Sequence, residues 1–599
     1  MVYETSYESG RSPFIPDTKR GYWANPYDFV YAGLGLAFRL DVFTLSWYYL
    51  MQSSVISYVP AYLISLFIYI IPFIVMQSFL GQFSSSGYIS AFRLTPLFKG
   101  IGYVSLALNI CVLSFYSIFA MVPLVYMFAS LEPTLPWGCE GLKKWTHILM
   151  EWEKINVCNL YVQNETYYSH KYLYDEHHLP SVLYFKTLFN DINLFKYESV
   201  AKFSMSWQLV LCAITVWTIA IIIFYKFFNP ESFGKIIRYT VWILLGLLVL
   251  LIIRFSFLPG SGGVYGSFFT LTWSDITNGL ASIPIYGLTA FGPGWGLFIT
   301  LSSFNKFTTN IIKQSWFIGL GQMVILIGLD LLANLTEQYF SELTNYNYFS
   351  DAEYLWVLYL SPASVMTHME WPNFWTILYY FMLFLSGMLL ITTQLYTILT
   401  TIFDEFAALR ERKTEVCMGV IAATAAISLY FTSNHGVIYF VVLLTDTYIT
   451  QTLINLVLLL IVLWIYGRVR FQRDIEFMIN ERFSTWKINI LRFVAPLGML
   501  MALLFGFVSA FYQHLSTNIV IAVFALIFIV IPWLLIPIYA VYAMRHSMGS
   551  LKTRFQRSCT PNDWYPVEQE DRQHYEEAMC NMDITHQLNE ITDNDISSI

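Results

Sequence analysis

The sequence predicts an all-α membrane protein of twelve transmembrane helices, and three observations carry that prediction. Hydrophobic residues make up 56% of the 599 and charged residues only 12%, about half the charged share of a soluble globular chain. Apolar runs of the roughly 20 residues needed to cross a bilayer as a helix recur along the whole length. Lys and Arg are sorted among the short connections between those runs. Nothing in the chain points to catalysis: it carries no metal constellation, nucleophile triad or phosphate loop. An enzyme is therefore not expected, and neither is a nucleic-acid partner or a bound cofactor. The lipid bilayer is the expected surrounding.

Taken in order, residues 1–26 are polar and lack the apolar core of a cleavable signal. They form a cytoplasmic N-terminal segment, which leaves the first span to act as the targeting signal. Spans are expected near 27–52, 55–80, 100–130, 206–228, 237–258, 277–303, 310–336, 373–403, 415–432, 437–466, 488–513 and 518–545, giving a transporter-sized domain over 27–545 and a cytoplasmic tail over 546–599. The connections after even spans carry Arg93 and Lys99, Lys235 and Arg238, Arg410, Arg412 and Lys413, then Arg468, Arg470 and Arg473; Lys306 and Lys313 lie between spans six and seven. The short connections 259–275, 432–436 and 511–518 hold no Lys or Arg. By the positive-inside rule both termini are cytoplasmic, in a multi-pass protein of the plasma membrane.

The long 131–205 loop is then extracellular. Cys139 and Cys158 share it and form the candidate disulfide. Asn164-Glu165-Thr166 is a glycosylation sequon in the same loop. Cys111 and Cys212 sit in apolar runs and read as small core residues. The 337–372 connection is acidic. The chain ends Ser597-Ser598-Ile599, a short pattern able to add as a strand to a PDZ domain.

Two spans are interrupted. The first holds Gly33-Leu34-Gly35 followed by Arg39 and Asp41, and each glycine weakens a helix by about 1 kcal/mol against Ala. An Arg or Asp at the bilayer centre costs roughly 2.5–3.5 kcal/mol on insertion scales, so such residues face a protein interior or a water-filled cavity. This stretch reads as a helix break lining a solute pathway, or else as a glycine kink used for packing with Arg39 snorkelling to the interface. The sixth span holds Gly287, Gly292-Pro293-Gly294 and Gly296, where Pro removes a backbone donor and the glycines permit non-helical turns. Broken helices 1 and 6, five spans apart, are the spacing of two five-helix inverted repeats, with helices 11 and 12 appended and a binding site where the breaks meet.

These residues resemble the neurotransmitter:sodium symporter family, as a divergent member. The resemblance runs over nearly the whole chain: Gly33-Leu34-Gly35 with Arg39, Leu80-Gly81-Gln82-Phe83, Gly100-Ile101-Gly102-Tyr103, Leu135-Pro136-Trp137, Leu258-Pro259-Gly260-Ser261, Ser303-Phe304-Asn305-Lys306-Phe307, Asp404-Glu405-Phe406 and Trp564-Tyr565-Pro566. It implies a substrate site in which backbone N–H groups at Gly33, Leu34 and Gly35 face a carboxylate and the Tyr116 hydroxyl holds it. Trp295 replaces a pocket Phe, Thr289 replaces the Phe that lids the substrate, and Gln394 faces the deep pocket or pairs with a neighbouring helix. Monoamine carriers have Asp where this chain has Gly33, which disfavours an amine-only substrate. Arg20 and Trp23 match the family's cytoplasmic gate, with Asp404 as the partner of Arg20, although Phe304 lacks the usual hydroxyl. Arg39 matches the outer gate. Its acidic partner does not align, and Asp41, which stands where the family has Pro, is an alternative partner.

The resemblance also implies sodium and chloride, but the ligands are largely missing. At one sodium site the family's Asn, Ser/Thr and Asn are Leu36, Ala290 and Gln322. At the other, the hydroxyl or carboxylate pair is Leu389-Leu390, with Thr392 and Thr393 one turn away. For chloride, Tyr62 remains while Tyr286 and Leu326 replace a Gln and a Ser. A cation needs several oxygen ligands in place of its hydration shell, and Leu offers none. The expected function is alternating-access movement of a small zwitterionic solute (an amino acid or a related osmolyte or neurotransmitter) with ion coupling weakened or lost. The alternative is a transport-deficient relative acting as a sensor or binding partner.

Overall fold

A computed structural model describes residues 5–6, 13–17, 19–44, 55–138, 140–141, 180–189, 203–270, 273, 276–277, 295–344, 356–516, 523, 527 and 530–580. Cys139, Cys158, Asn164, Tyr286, Thr289, Ala290 and the terminal Ser597-Ser598-Ile599 lie outside these residues. Among the described residues the chain is helical apart from one isolated bridge between Met205 and Ser433, and nine helices are long and apolar enough to cross a membrane.

The main helices are α1 (Asp28–Gly35), α2 (Val55–Ser84), α3 (Pro96–Ala129), α4 (Trp207–Lys226), α5 (Pro230–Phe255), α6 (Leu297–Ser302), α7 (Ile311–Thr344), α8 (Pro372–Glu405), α9 (Lys413–Ser428), α10 (Asn434–Leu460), α11 (Ala495–Ser516), α12 (Leu535–Arg545) and α13 (Leu551–Cys559). Most overlap the expected spans. The fifth starts earlier, because Pro230 occupies a first-turn position where its missing N–H costs nothing. After α10 a π-helical stretch, Ile461–Gly467, ends at Gly467, whose φ of +100° lets the chain turn into an amphipathic helix, Arg468–Ile479.

Two supposed loops contain short helices. Pro180–Leu188 lies within the large loop and Ser361–Met366 within the acidic connection. They pack on each other through Ser181 and Ser364, whose hydroxyls are 2.7 Å apart, and Phe185 stacks on Tyr359 of the π-helical turn Trp356–Leu360 just before the second. Helices this short are marginal alone and exist through such packing.

Close approach of backbones holds the bundle together, as expected where lipid removes the hydrophobic drive between helices. A Cβ at Gly387 of α8 would sit 2.9 Å from the Phe119 carbonyl of α3, and one at Gly81 of α2 would overlap the Ile299 carbonyl of α6. Large apolar side chains of α4, α5 and α11 point outward, among them Leu211, Ile253 and Leu504. Trp207 and Tyr225 cap the two ends of α4 on that exposed face, the placement of interfacial aromatics.

The glycines of the first span are not where it breaks. Gly33 and Gly35 are helical and lack positive φ. Their missing side chains instead admit Ile318 of α7 and Leu389 of α8, which a Cβ would meet at 2.8 and 2.9 Å. The helix tightens to a 3₁₀ turn at Leu36–Phe38 and opens at Arg39, with φ −58° and ψ 124°, before resuming at Leu40. Carbonyls near the break gain side-chain partners: Gln322 donates to the Gly33 carbonyl at 2.8 Å, and the Ser386 hydroxyl donates to that of Phe38. At the second interruption, Gly296 opens α6 with φ +84°, and the Tyr88 ring fills the space a side chain would need. Phe29 of α1 meets Phe298 of α6 edge-on at 6.0 Å, so α1 and α6 are neighbours.

Candidate functional site

Two charged clusters lie beyond opposite ends of α1. Before it, Arg20 reaches the buried carboxylate of Asp404 on α8 at 3.0 Å. Its other donors go to the Ser85 carbonyl at 2.7 Å and the Ser303 hydroxyl at 2.6 Å, and its guanidinium lies 4.2 Å from the Phe304 ring. Phe304 thus takes Arg20 through its ring face, and the hydroxyl comes from its neighbour Ser303. Asp404 also accepts from the Gly87 N–H at 2.6 Å. Trp23 donates from its backbone to Phe304 and from its indole to Leu301, both at 3.0 Å. The motif residues Gln82 and Asn305 meet close by at 3.1 Å.

The tail buttresses this face. Trp564 stacks on Phe83 at 5.0 Å and donates to the Tyr466 hydroxyl. The Asp563 carboxylate accepts from the backbone N–H groups of Ser6 and Phe14, so the two ends of the chain meet here. Arg93 lies under the Phe14 ring and donates to the Asp563 carbonyl. Burial pushes its guanidinium down to about 10. Lys413 pairs with Asp17 at 3.0 Å. Burial pushes the Asp17 carboxyl up, but Lys413, the Lys19 N–H and the Arg410 charge outweigh that and hold it below its ordinary value. Lys99 pairs with Glu405 at 2.6 Å.

Beyond the break, Arg39 and Asp41 pair with each other. The Arg39 Nε and Nη2 donate to the two Asp41 oxygens at 3.1 and 2.5 Å. Residues two apart do not face each other on a continuous helix, so the pair needs the extended backbone at Arg39. The Tyr116 hydroxyl of α3 donates to the same carboxylate, and that of Tyr448 on α10 donates at 3.0 Å. Arg39 and Asp41 are each 1% exposed.

Between the clusters, Trp295 is pinned on both sides. Its backbone N–H and carbonyl bond the Asn109 amide at 2.8 Å each, its indole donates to Asn455 at 2.7 Å, and its ring stacks on Phe92. Gln394 is 1% exposed, and neither its amide oxygen nor its nitrogen has a hydrogen-bond partner. It lies two turns along α8 from Gly387, on the side that packs on α3.

Among the described residues, the positions matched to sodium ligands are apolar or already engaged. Leu36, Leu389, Leu390 and Leu326 are buried. Gln322 is turned to the Gly33 carbonyl. Thr392 and Thr393 direct their hydroxyls to carbonyls of their own helix, Met388 and Leu389, and α8 runs unbroken from Pro372 to Glu405, leaving no register shift to bring them forward. The residues described here do not fit a sodium ion at those positions. Tyr448, Ser303, Asn109, Asn455 and Asp563 were not legible as site residues in the sequence. Each is a polar residue of a common type, in an apolar span, beside one or, for Asp563, in the polar tail, and only the partner from a distant segment distinguishes it.

A many-span helical bundle whose first helix opens at Arg39, lies against α6 and has charged clusters beyond both ends is the architecture of a solute transporter. The chain belongs to the Sodium:neurotransmitter symporter family, which it matches over residues 20–547. Among similar proteins is the human sodium- and chloride-dependent neutral and basic amino acid transporter B(0+), 24% identical over 92% of this chain and 90% of that protein. The sodium- and chloride-dependent glycine transporters 2 and 1 of Xenopus laevis are each 25% identical, over 91% and 92% of this chain and 72% and 89% of theirs. The chain is thus a multi-pass plasma-membrane protein of a family of transporters, not of enzymes.

Proposed function

We propose that the chain moves a small zwitterionic solute, an amino acid or a related osmolyte or neurotransmitter, by alternating access, with sodium and chloride coupling weakened or lost. The observation that carries this reading is the pair of charged clusters, Arg20–Asp404 and Arg39–Asp41, set beyond opposite ends of α1. Tyr116, Trp295, Gln394 and the Gly33-Leu34-Gly35 segment are the residues assigned to the solute, with Thr289 as a further member. Loss of coupling is supported by Leu36, Leu389 and Leu390, which offer a cation no oxygen. In this reading both termini are cytoplasmic, Arg20, Trp23 and Asp404 gate the inner mouth, and Arg39 gates the outer one. The Cys139–Cys158 bridge, the glycan on Asn164 and a PDZ partner at Ser597-Ser598-Ile599 belong to the same proposal.

The test is uptake of labelled glycine and of neutral and basic amino acids into cells expressing the chain, with sodium replaced by an organic cation and chloride by gluconate. Uptake of at least one solute is expected to survive both replacements within about two-fold. A fall to background on removing sodium overturns the loss of coupling. Solute binding without flux gives the second reading, a transport-deficient sensor or binding partner, which the same missing ligands favour.

A further inference from the structure

Four donors from three helical segments converge on the Asp41 carboxylate. The Arg39 fork supplies two, Tyr116 of α3 a third and Tyr448 of α10 a fourth. A planar guanidinium with two flanking hydroxyls, all buried, is a receptor for one carboxylate, because each of its oxygens needs two donors. Here the occupant is the chain's own. We infer that Asp41 is a tethered occupant of a carboxylate receptor, which the carboxylate of a solute enters only by displacing Asp41 from Tyr116 and Tyr448.

The inference rests on the zwitterion reading above and adds a determinant of which solutes are taken and how tightly. Asp41 follows Arg39 by two residues, and its own carbonyl accepts from Thr44 at 2.9 Å, which fixes the turn that carries it. A group tethered this closely acts at an effective concentration on the order of millimolar or more. A free solute carboxylate must compete against that, so apparent affinity for amino acids is weak in the native chain. A solute lacking the carboxylate meets no such competitor. The tyrosines respond in the same sense: while Asp41 holds both hydroxyls, α3 and α10 are tied to the segment after the break, so displacement and opening of this mouth are one event.

The test is Asp41→Asn in the full-length protein, purified in detergent, with glycine, leucine, glycinamide and leucinamide as probes and thermal stabilisation as the readout. Apparent affinity for the two acids is expected to rise at least ten-fold over the native chain, with that for the two amides unchanged. Asp41→Asn leaves Arg39 without its anion, so Asp41→Glu is measured beside it. The longer side chain keeps the charge Arg39 needs but moves the carboxylate out of register with the tyrosines, and it is expected to give a smaller gain for the same two acids. If the native chain binds the acids and neither variant binds them better, or if acids and amides gain alike, the displacement inference falls alone. If no form binds an acid, the zwitterion reading falls and takes this inference with it.

Discussion

The two charged clusters beyond the ends of α1, proposed as the inner and outer gates, use the same chemistry in different connectivity. At one, Arg20 comes from the N-terminal segment and Asp404 from the end of α8, so separating the segments separates an ion pair. At the other, cation and anion sit on one stretch of chain, and among the described residues the Tyr116 and Tyr448 hydroxyls tie that stretch to α3 and α10. Breaking a buried ion pair by removing a partner costs about 3–5 kcal/mol. A hydrogen bond to a charged group contributes about 1.5–3 kcal/mol. If these clusters are the gates, the Asp41 side is the easier to open, because the contacts described across it to α3 and α10 are two hydrogen bonds rather than an ion pair.

The largest test of that contrast is Arg20→Ala, which strands the Asp404 carboxylate. Labelling of a cysteine introduced at Thr401, in a background without other reactive thiols, is expected to accelerate roughly a hundred-fold or more. An unchanged rate would mean that the tail and Trp23 hold this face without the ion pair. A smaller effect is expected of Tyr448→Phe, which removes one crossing hydrogen bond and leaves the Arg39–Asp41 pair intact. Labelling of a cysteine at Thr452 should rise about ten-fold, toward the lower end of the range for a charged hydrogen bond. A gain equal to that of Arg20→Ala would erase the distinction between the mouths.

The smallest effect is that of acid. Asp17 is held below its ordinary value, so its contact with Lys413 contributes fully above the unfolded value of about 3.9. The contribution is lost as pH falls through the lower, folded value. Hydrogen exchange of residues 19–25 is expected to quicken as pH is lowered through that window, after correction for the intrinsic rate, and a Lys413→Met chain should lack the step.

Much of this was legible before any coordinates. Arg20, Trp23 and Asp404 follow from a resemblance in order and spacing; the structure pairs Arg20 with Asp404 and sets Trp23 against Phe304, whose ring also meets Arg20. Arg39 and Asp41 stood out because charge is costly inside an apolar run. What was misplaced is informative: the two glycines marked the right segment but not the break, because a glycine that admits a neighbour's side chain and one that permits a turn are written with the same letter. Gly33 does the first, against Ile318, and Gly296 the second, at φ +84°. Phe304 looked like a loss until its ring was found against Arg20, with Ser303 supplying the hydroxyl.

The sequence by itself determined the membrane-spanning helices, since 20 apolar residues have few alternatives to burying their backbone polar groups in a helix. It also placed Leu36, Leu389 and Leu390 at positions matched to sodium ligands, because residue type alone decides whether a side chain carries an oxygen. Only the tertiary structure decided where the first helix breaks, that Asp41 pairs with Arg39, and that the polar tail returns to stack Trp564 on Phe83. Those outcomes rest on which donors and rings from distant segments arrive at one place, and no local pattern records that.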